Sequence, residues 1–237
     1  MNVLVVSTGG CSTTSLLTAL KGCGVKCNDP NDLDGLKHIC LPPLVSAKDL
    51  KVVYVFGDPA ESVGSLFRRG YQYRQYCKLT GDYFKVPEFL DNLEVYSKSE
   101  NDGLAFERHF HNWRFKYQVY ETLFINFEDL WAHKSELARF LNIDDSQFDL
   151  APRKERKTVL EKDCSDLLSK TYAKLERSYK ESNLLVVERG SRIGYLNFAI
   201  KKILLSSVKS IKQIIAFSLF GHSYGKGFLR NGTPDDL

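Results

Sequence analysis

A run of branched aliphatic residues, Val3-Leu4-Val5-Val6, breaks off into Ser7-Thr8-Gly9-Gly10-Cys11-Ser12, and residues 13–20 then follow helical spacing. An apolar run of this kind without polar alternation is the pattern of a strand buried on both faces, as in a parallel sheet covered by helices. The two adjacent glycines supply the backbone freedom that a sharp exit from such a strand needs. Strand, glycine loop and helix in that order form the βα unit in which the unpaired amides of a helix N-terminus meet a phosphate-like anion.

Similar alternation continues along the chain. Residues 28–34 (NDPNDLD) are turn material, and residues 36–41 read as a second strand that Pro42-Pro43 terminates. Residues 51–56 (KVVYVF) form the clearest strand; after Gly57, Asp58 is expected to cap a helix and Pro59 to open it, with Val63, Leu66 and Phe67 as its apolar face. Residues 71–100 are rich in Tyr and Lys without clean periodicity, which predicts irregular structure with short helices. Phe106, Phe110, Trp113 and Tyr117 fall on one face of a helix across residues 104–120. Residues 123–127 (LFINF) make a fourth strand, followed by helices over 134–141 and 164–180 with a solvated charge run, RKERK, between them. The expected fold class is α/β, a parallel central sheet flanked by helices.

Composition narrows the function classes. With 43% hydrophobic residues in 237, the chain fits one domain with a sizeable core. A formal net charge of +4 is too small for a protein that coats a nucleic-acid backbone, so no nucleic acid is expected as partner; an anionic small ligand is compatible with it. The six cysteines are scattered, and the opening residues carry neither a basic segment nor an apolar stretch of signal-peptide length, which points to reduced thiols and a cytoplasmic protein. Cys23 and Cys27 lack the second ligand pair of a zinc site, so no metal is expected. Residues 196–220 are apolar at helical spacing but are interrupted by Lys201, Lys202, Lys209 and Lys212. They form a basic amphipathic helical extension expected to pack on the domain, with docking to a membrane surface or a protein as the alternative. Residues 221–237, with their glycines, read as a flexible tail.

Three segments, in order and spacing, resemble the sulfotransferases that use 3′-phosphoadenosine 5′-phosphosulfate (PAPS). VLVVSTGGCSTTSLL (3–17) sits where that family has a strand, a K/R-S-G-T-T loop and a helix. KVVYVFGDPAESVGSLFRRGY (51–71) resembles its strand followed by R-D/N-P-x-D-x-x-x-S, and HFHNWRFKYQVYETLFINFEDLW (109–131) its tryptophan helix and a strand ending in Y/F-E-D-L. The resemblance covers roughly residues 2–143 and implies a P-loop, sulfotransferase-like α/β domain over residues 1–195. It implies PAPS as donor substrate and a hydroxyl of a carbohydrate or small molecule as acceptor. Gly9, Gly10, Cys11, Ser12, Thr13 and Thr14 would hold the 5′-phosphosulfate, and Ser65 would contact the 3′-phosphate.

The departures from the family bear on charge. The loop lysine or arginine aligns with Gly10, and the arginine before Asp-Pro aligns with Gly57. Arg68 and Arg69, three and four residues after Ser65 and so on the same helical face, are the first substitutes. Arg189 or Arg192, in ERGSRIGYL, stands for the family's C-terminal cation. The family's histidine in K-T-H-L-P corresponds to LKHICLP, which puts Cys40 at the histidine and His38 at the lysine; as a strand, this segment aims both to one face. His38 is the candidate general base, because imidazole titrates near neutrality, against a default of an ordinary solvated or core histidine. Two other readings stay open: the same fold with another nucleotide or nucleotide-sugar donor, and a catalytically degenerate binding protein.

Overall fold

The computed structural model describes residues 3–43, 50–84, 87–115, 120–153 and 160–187. Its sheet has four strands in the spatial order β1 (Val3–Val6), β2 (Lys51–Phe56), β3 (Glu121–Asn126) and β4 (Val186–Val187). β1 and β2 are parallel with Val3 opposite Lys51, β2 and β3 are parallel with Lys51 opposite Glu121, and β4 runs antiparallel to β3 with Thr122 opposite Val187. The sheet is therefore mixed and mostly parallel. Two-residue β4 has no periodicity to read in sequence; it exists because Phe124 N donates to Leu185 O at 2.9 Å.

Alternation along the strands sorts the core into two layers. Val3, Val5, Val53, Val55, Leu123 and Ile125 face α1 (Thr13–Gly22) and α6 (Lys134–Leu141). Leu4, Val6, Tyr54, Phe56 and Phe124 face the opposite way. That face is covered by α2 (Pro59–Arg68), α3 (Gln72–Thr80), α4 (Leu93–Lys98), α5 (Phe106–Arg114) and α7 (Lys162–Ser182). Both faces of the parallel strands are dry, which is why they read as unbroken apolar runs. Phe106, Phe110 and Trp113 of α5 are buried as their spacing predicts; Tyr117 lies outside the described residues. Asp58 caps α2 by accepting from Glu61 N at 2.8 Å, with Pro59 as its first residue.

Residues 36–41 are not a strand. The outer edge of β1 is already occupied: Asn28 accepts from Val5 N at 2.9 Å and donates to Val5 O at 3.0 Å, and Val3 bridges to Cys27. Displaced from the sheet, residues 36–41 are instead gripped by α5. His109 and Trp113 donate to the Ile39 carbonyl at 3.0 and 3.3 Å, and Asn112 donates to the Cys40 carbonyl at 3.0 Å.

The helical extension at 196–220, the tail at 221–237, Arg189, Arg192 and residues 154–157 of the charge run lie outside the described residues. Among the described residues, no helix is long and apolar enough to cross a membrane.

Asn28 is 1% exposed and satisfies both backbone groups of buried Val5. Asn28→Ala is expected to destabilise the fold by about 2–4 kcal/mol, the cost of two buried polar groups left unpaired. Urea denaturation should show a lower midpoint with an unchanged slope.

Candidate functional site

The chain leaves β1 through a loop with Gly9 at φ +103°, Gly10 at φ +73° and Ser12 at φ 46°. This left-handed coiling presses the loop onto its neighbours. A Cβ on Gly10 would stand 2.9 Å from the Ser62 Cα of α2, and one on Gly9 would stand 3.0 Å from Gln75 Nε2 of α3. Gln75 Nε2 donates to Thr8 O at 2.6 Å, Cys11 Sγ donates to Gly9 O at 3.2 Å, and Gly9 N donates to Ser7 Oγ at 3.1 Å. The carbonyls of Thr8 and Gly9 are thus drawn into the protein, while the first amides of α1, at Thr13 and Thr14, have no acceptor inside the helix.

Three features leave the start of α1 short of negative charge. Ser12, its N-cap, makes no side-chain cap, and the first turn contains no acidic residue. Lys37 brings a cation there: its Nζ donates to Thr14 Oγ1 at 2.8 Å and to Pro30 O at 2.7 Å, and the residue is 6% exposed. A cation beside the positive end of a helix is unfavourable unless an anion joins it. Burial depresses the Lys37 pKa, with Lys78 and Arg69 adding to that effect and Asp32 and Asp29 opposing it.

Asp32 anchors this cluster. Its carboxylate accepts from the Lys37 amide at 2.9 Å and pairs with Lys78. Burial works to raise its pKa, but His38, Lys78 and the Lys37 amide outweigh burial and hold it below the ordinary carboxylate range.

Along α2, Ser62, Ser65 and Arg69 fall on one face. Ser62 is buried beneath Gly10, with its Oγ 3.8 Å from Cys11 Sγ. Ser65 lies one turn on, half-buried, and its carbonyl accepts from Arg69 Nε at 3.0 Å. The Arg69 guanidinium sits 5.1 Å from the Tyr71 ring centroid and is near enough to Cys11 and Lys37 to interact with both. Arg68 is exposed beside it.

His38 occupies a turn, 9% exposed, and its Nδ1 donates to Ser7 O at 2.8 Å. A carbonyl only accepts, so Nε2 is the basic nitrogen. Burial, with help from Lys78 and Lys37 and against Asp32 and the Ser7 carbonyl, lowers the ring's pKa to about 4. His109 is likewise buried and neutral: it accepts from the Tyr54 hydroxyl at 2.9 Å and donates to Ile39 O, and burial lowers its pKa to about 3. His111 is exposed.

The fold therefore gathers Gly9, Gly10, Cys11, Ser12, Thr13, Thr14, His38 and Arg69 around one loop, with Ser65 one turn of α2 beyond Ser62. Sequence reasoning missed Lys37, Ser62 and Gln75. A strand over 36–41 would have aimed Lys37 to the face opposite His38, whereas the turn brings both toward the loop. Among the described residues, no group of three or more His, Cys, Asp or Glu side chains is placed to hold a metal ion. No protein-family model, curated protein or solved structure matches the chain.

Placing a cation at position 10 should not create an anion contact. Gly10→Lys is expected to cost about 1–3 kcal/mol, because it combines a left-handed φ with a clash against the α2 backbone, and to leave anion affinity no stronger. Thermal melts together with pyrophosphate titration test both halves.

The two buried imidazoles also set a pH dependence. Their folded pKa values, about 4 and about 3, lie below the unfolded value, so the unfolded chain binds more protons as pH falls. The stability they contribute is complete above about pH 6.5 and is lost below it, at about 1.4 kcal/mol per pH unit for each ring until its folded pKa is reached. Urea unfolding between about pH 7 and pH 5 should show this slope; constant stability over that window would contradict it.

Proposed function

We propose that the chain is a sulfotransferase-like group transferase with a P-loop-type site, which binds PAPS at the loop from Gly9 to Thr14 and passes its sulfuryl group to a hydroxyl of a carbohydrate or small molecule. The observation that carries this reading is the Lys37 ammonium held at the uncapped, acid-free first turn of α1. That arrangement is electrostatically incomplete without an anion, and it supplies from a separate segment the cation that Gly10 cannot provide.

In this reading the first-turn amides of α1, the hydroxyls of Thr13 and Thr14 and the Lys37 ammonium meet the 5′-phosphosulfate. Ser65 and Arg69, further along α2, meet the 3′-phosphate, with Arg68 beside them. During transfer the bond between the sulfuryl sulfur and the 5′-phosphate oxygen breaks, and its electron pair leaves on adenosine 3′,5′-bisphosphate. The new bond joins that sulfur to the acceptor oxygen, whose proton goes to His38 Nε2. Negative charge grows on the departing phosphate, where preorganised donors act most strongly. His38 begins neutral, as a base must, and a bound polyanion beside it offsets Lys37 and Lys78 and raises its affinity for the proton.

Calorimetric titration with adenosine 3′,5′-bisphosphate tests the reading. The protein should bind it, and Lys37→Met should weaken binding by about tenfold or more, the loss of a charge-assisted contact. Absence of binding to the bisphosphate would overturn PAPS as donor; pyrophosphate binding retained in that case would move the donor to another phosphate ester.

A further inference from the structure

Tyr179 of α7 is 4% exposed, and among the described residues no group meets its hydroxyl at a normal hydrogen-bond length and angle. Its ring is fixed on two sides, stacked on Phe56 with centroids 4.5 Å apart and meeting Phe110 edge-on at 4.8 Å. Phe56 ends β2, and since Tyr54 pairs with Val6, Phe56 lies alongside the chain where β1 has given way to the loop. The polar groups that interact with the hydroxyl are the Thr8 and Tyr54 hydroxyls, with Cys11 of the loop close by.

Buried hydroxyls in well-packed proteins are nearly always paired, so one that is not marks a place where something else accepts the bond. The same helix provides the contrast. Tyr172, two turns earlier and equally buried, bonds to the Tyr96 hydroxyl at 2.5 Å and to Asp102 at 3.0 Å. The unpaired member of the pair is the one that reaches the loop.

We propose that the Tyr179 hydroxyl is a buried donor of the anion site, donating to an oxygen of the tetrahedral oxyanion, phosphate or sulfuryl, held by the loop from Gly9 to Thr14. This rests on the reading of that loop as an anion site. Burial above all, with Cys11 and Asp102 contributing, pushes the phenol's pKa well above its ordinary value, so it remains protonated and available as a donor. It approaches from the α7 side of the sheet, whereas Lys37 approaches from the start of α1. An oxyanion bound there would be held by a neutral donor and a cation contributed by segments far apart in the chain.

The test compares full-length wild type, Tyr179→Phe and Tyr172→Phe by calorimetric titration with pyrophosphate and with adenosine 3′,5′-bisphosphate, and by thermal unfolding without ligand. Tyr179→Phe keeps both ring contacts and removes a hydroxyl that makes no well-aligned bond, so its unfolding midpoint should change little or rise while both anions bind about ten- to a hundredfold more weakly. Tyr172→Phe should show the opposite pattern, a lower midpoint with affinities unchanged. Wild-type affinity in Tyr179→Phe would overturn this inference alone. So would a drop in its midpoint matching that of Tyr172→Phe, since the hydroxyl would then be an ordinary structural partner. Failure of the wild type to bind either anion would overturn the anion site and this inference together.

Discussion

Neutral His109 donates to the Ile39 carbonyl through Nε2 and accepts from the Tyr54 hydroxyl through Nδ1, and this pair of bonds ties β2, α5 and residues 36–41 into one unit. Trp113 and Asn112 reinforce it from the same helix, at Ile39 and Cys40. The segment held this way delivers Lys37 to the first turn of α1 and His38 to the Ser7 carbonyl. Two further bonds fix the turn, the Lys37 amide donating to Asp32 at 2.9 Å and the Lys37 carbonyl accepting from Ser7 N at 3.0 Å. A charged His109 would have to reverse the Tyr54 bond, since imidazolium has no acceptor. Burial prevents this by keeping the ring neutral.

Lysine ammonium groups and aspartate carboxylates crowd together beside the loop. Asp32 is shared among Lys78, His38 and the Lys37 amide, with Asp29 acting on Lys37 and Asp34 on Lys78 from further away. Lys37 sits at the helix end where a cation is least welcome, and Arg69 adds to the same field. Such unfavourable placements persist in folded proteins where the surrounding structure fixes them and a function uses them.

The loop's own shape excludes one solution and permits another. Gly10 packs so closely on Ser62 that no side chain fits, and its φ of +73° is costly for any residue but glycine. A lysine or arginine side chain therefore has no room at that position. Lys37, 27 residues further along the chain, instead places its ammonium at Thr14 by way of a turn.

The sequence by itself determined the β1 and β2 runs, the helix that follows each of them, the Asp58 cap with Pro59, and the aromatic face of α5. Each is set by local propensity or by a period that depends only on neighbouring residues. It also singled out Gly9 to Thr14, Ser65 and Arg69, since a glycine loop at a helix start and a polar stripe along a helix are local patterns. Only the tertiary structure decided residues 36–41, β4, and the placement of Lys37 and Tyr179. The apolar content of 36–41 suits a strand, but Asn28 and Cys27 already fill the edge it would have joined, and that competition is invisible in a linear reading. Tyr179 reads as one more core aromatic at helical spacing; that its hydroxyl is unpaired and faces the loop follows from the way α7 crosses the end of the sheet, a relation between residues about 170 positions apart.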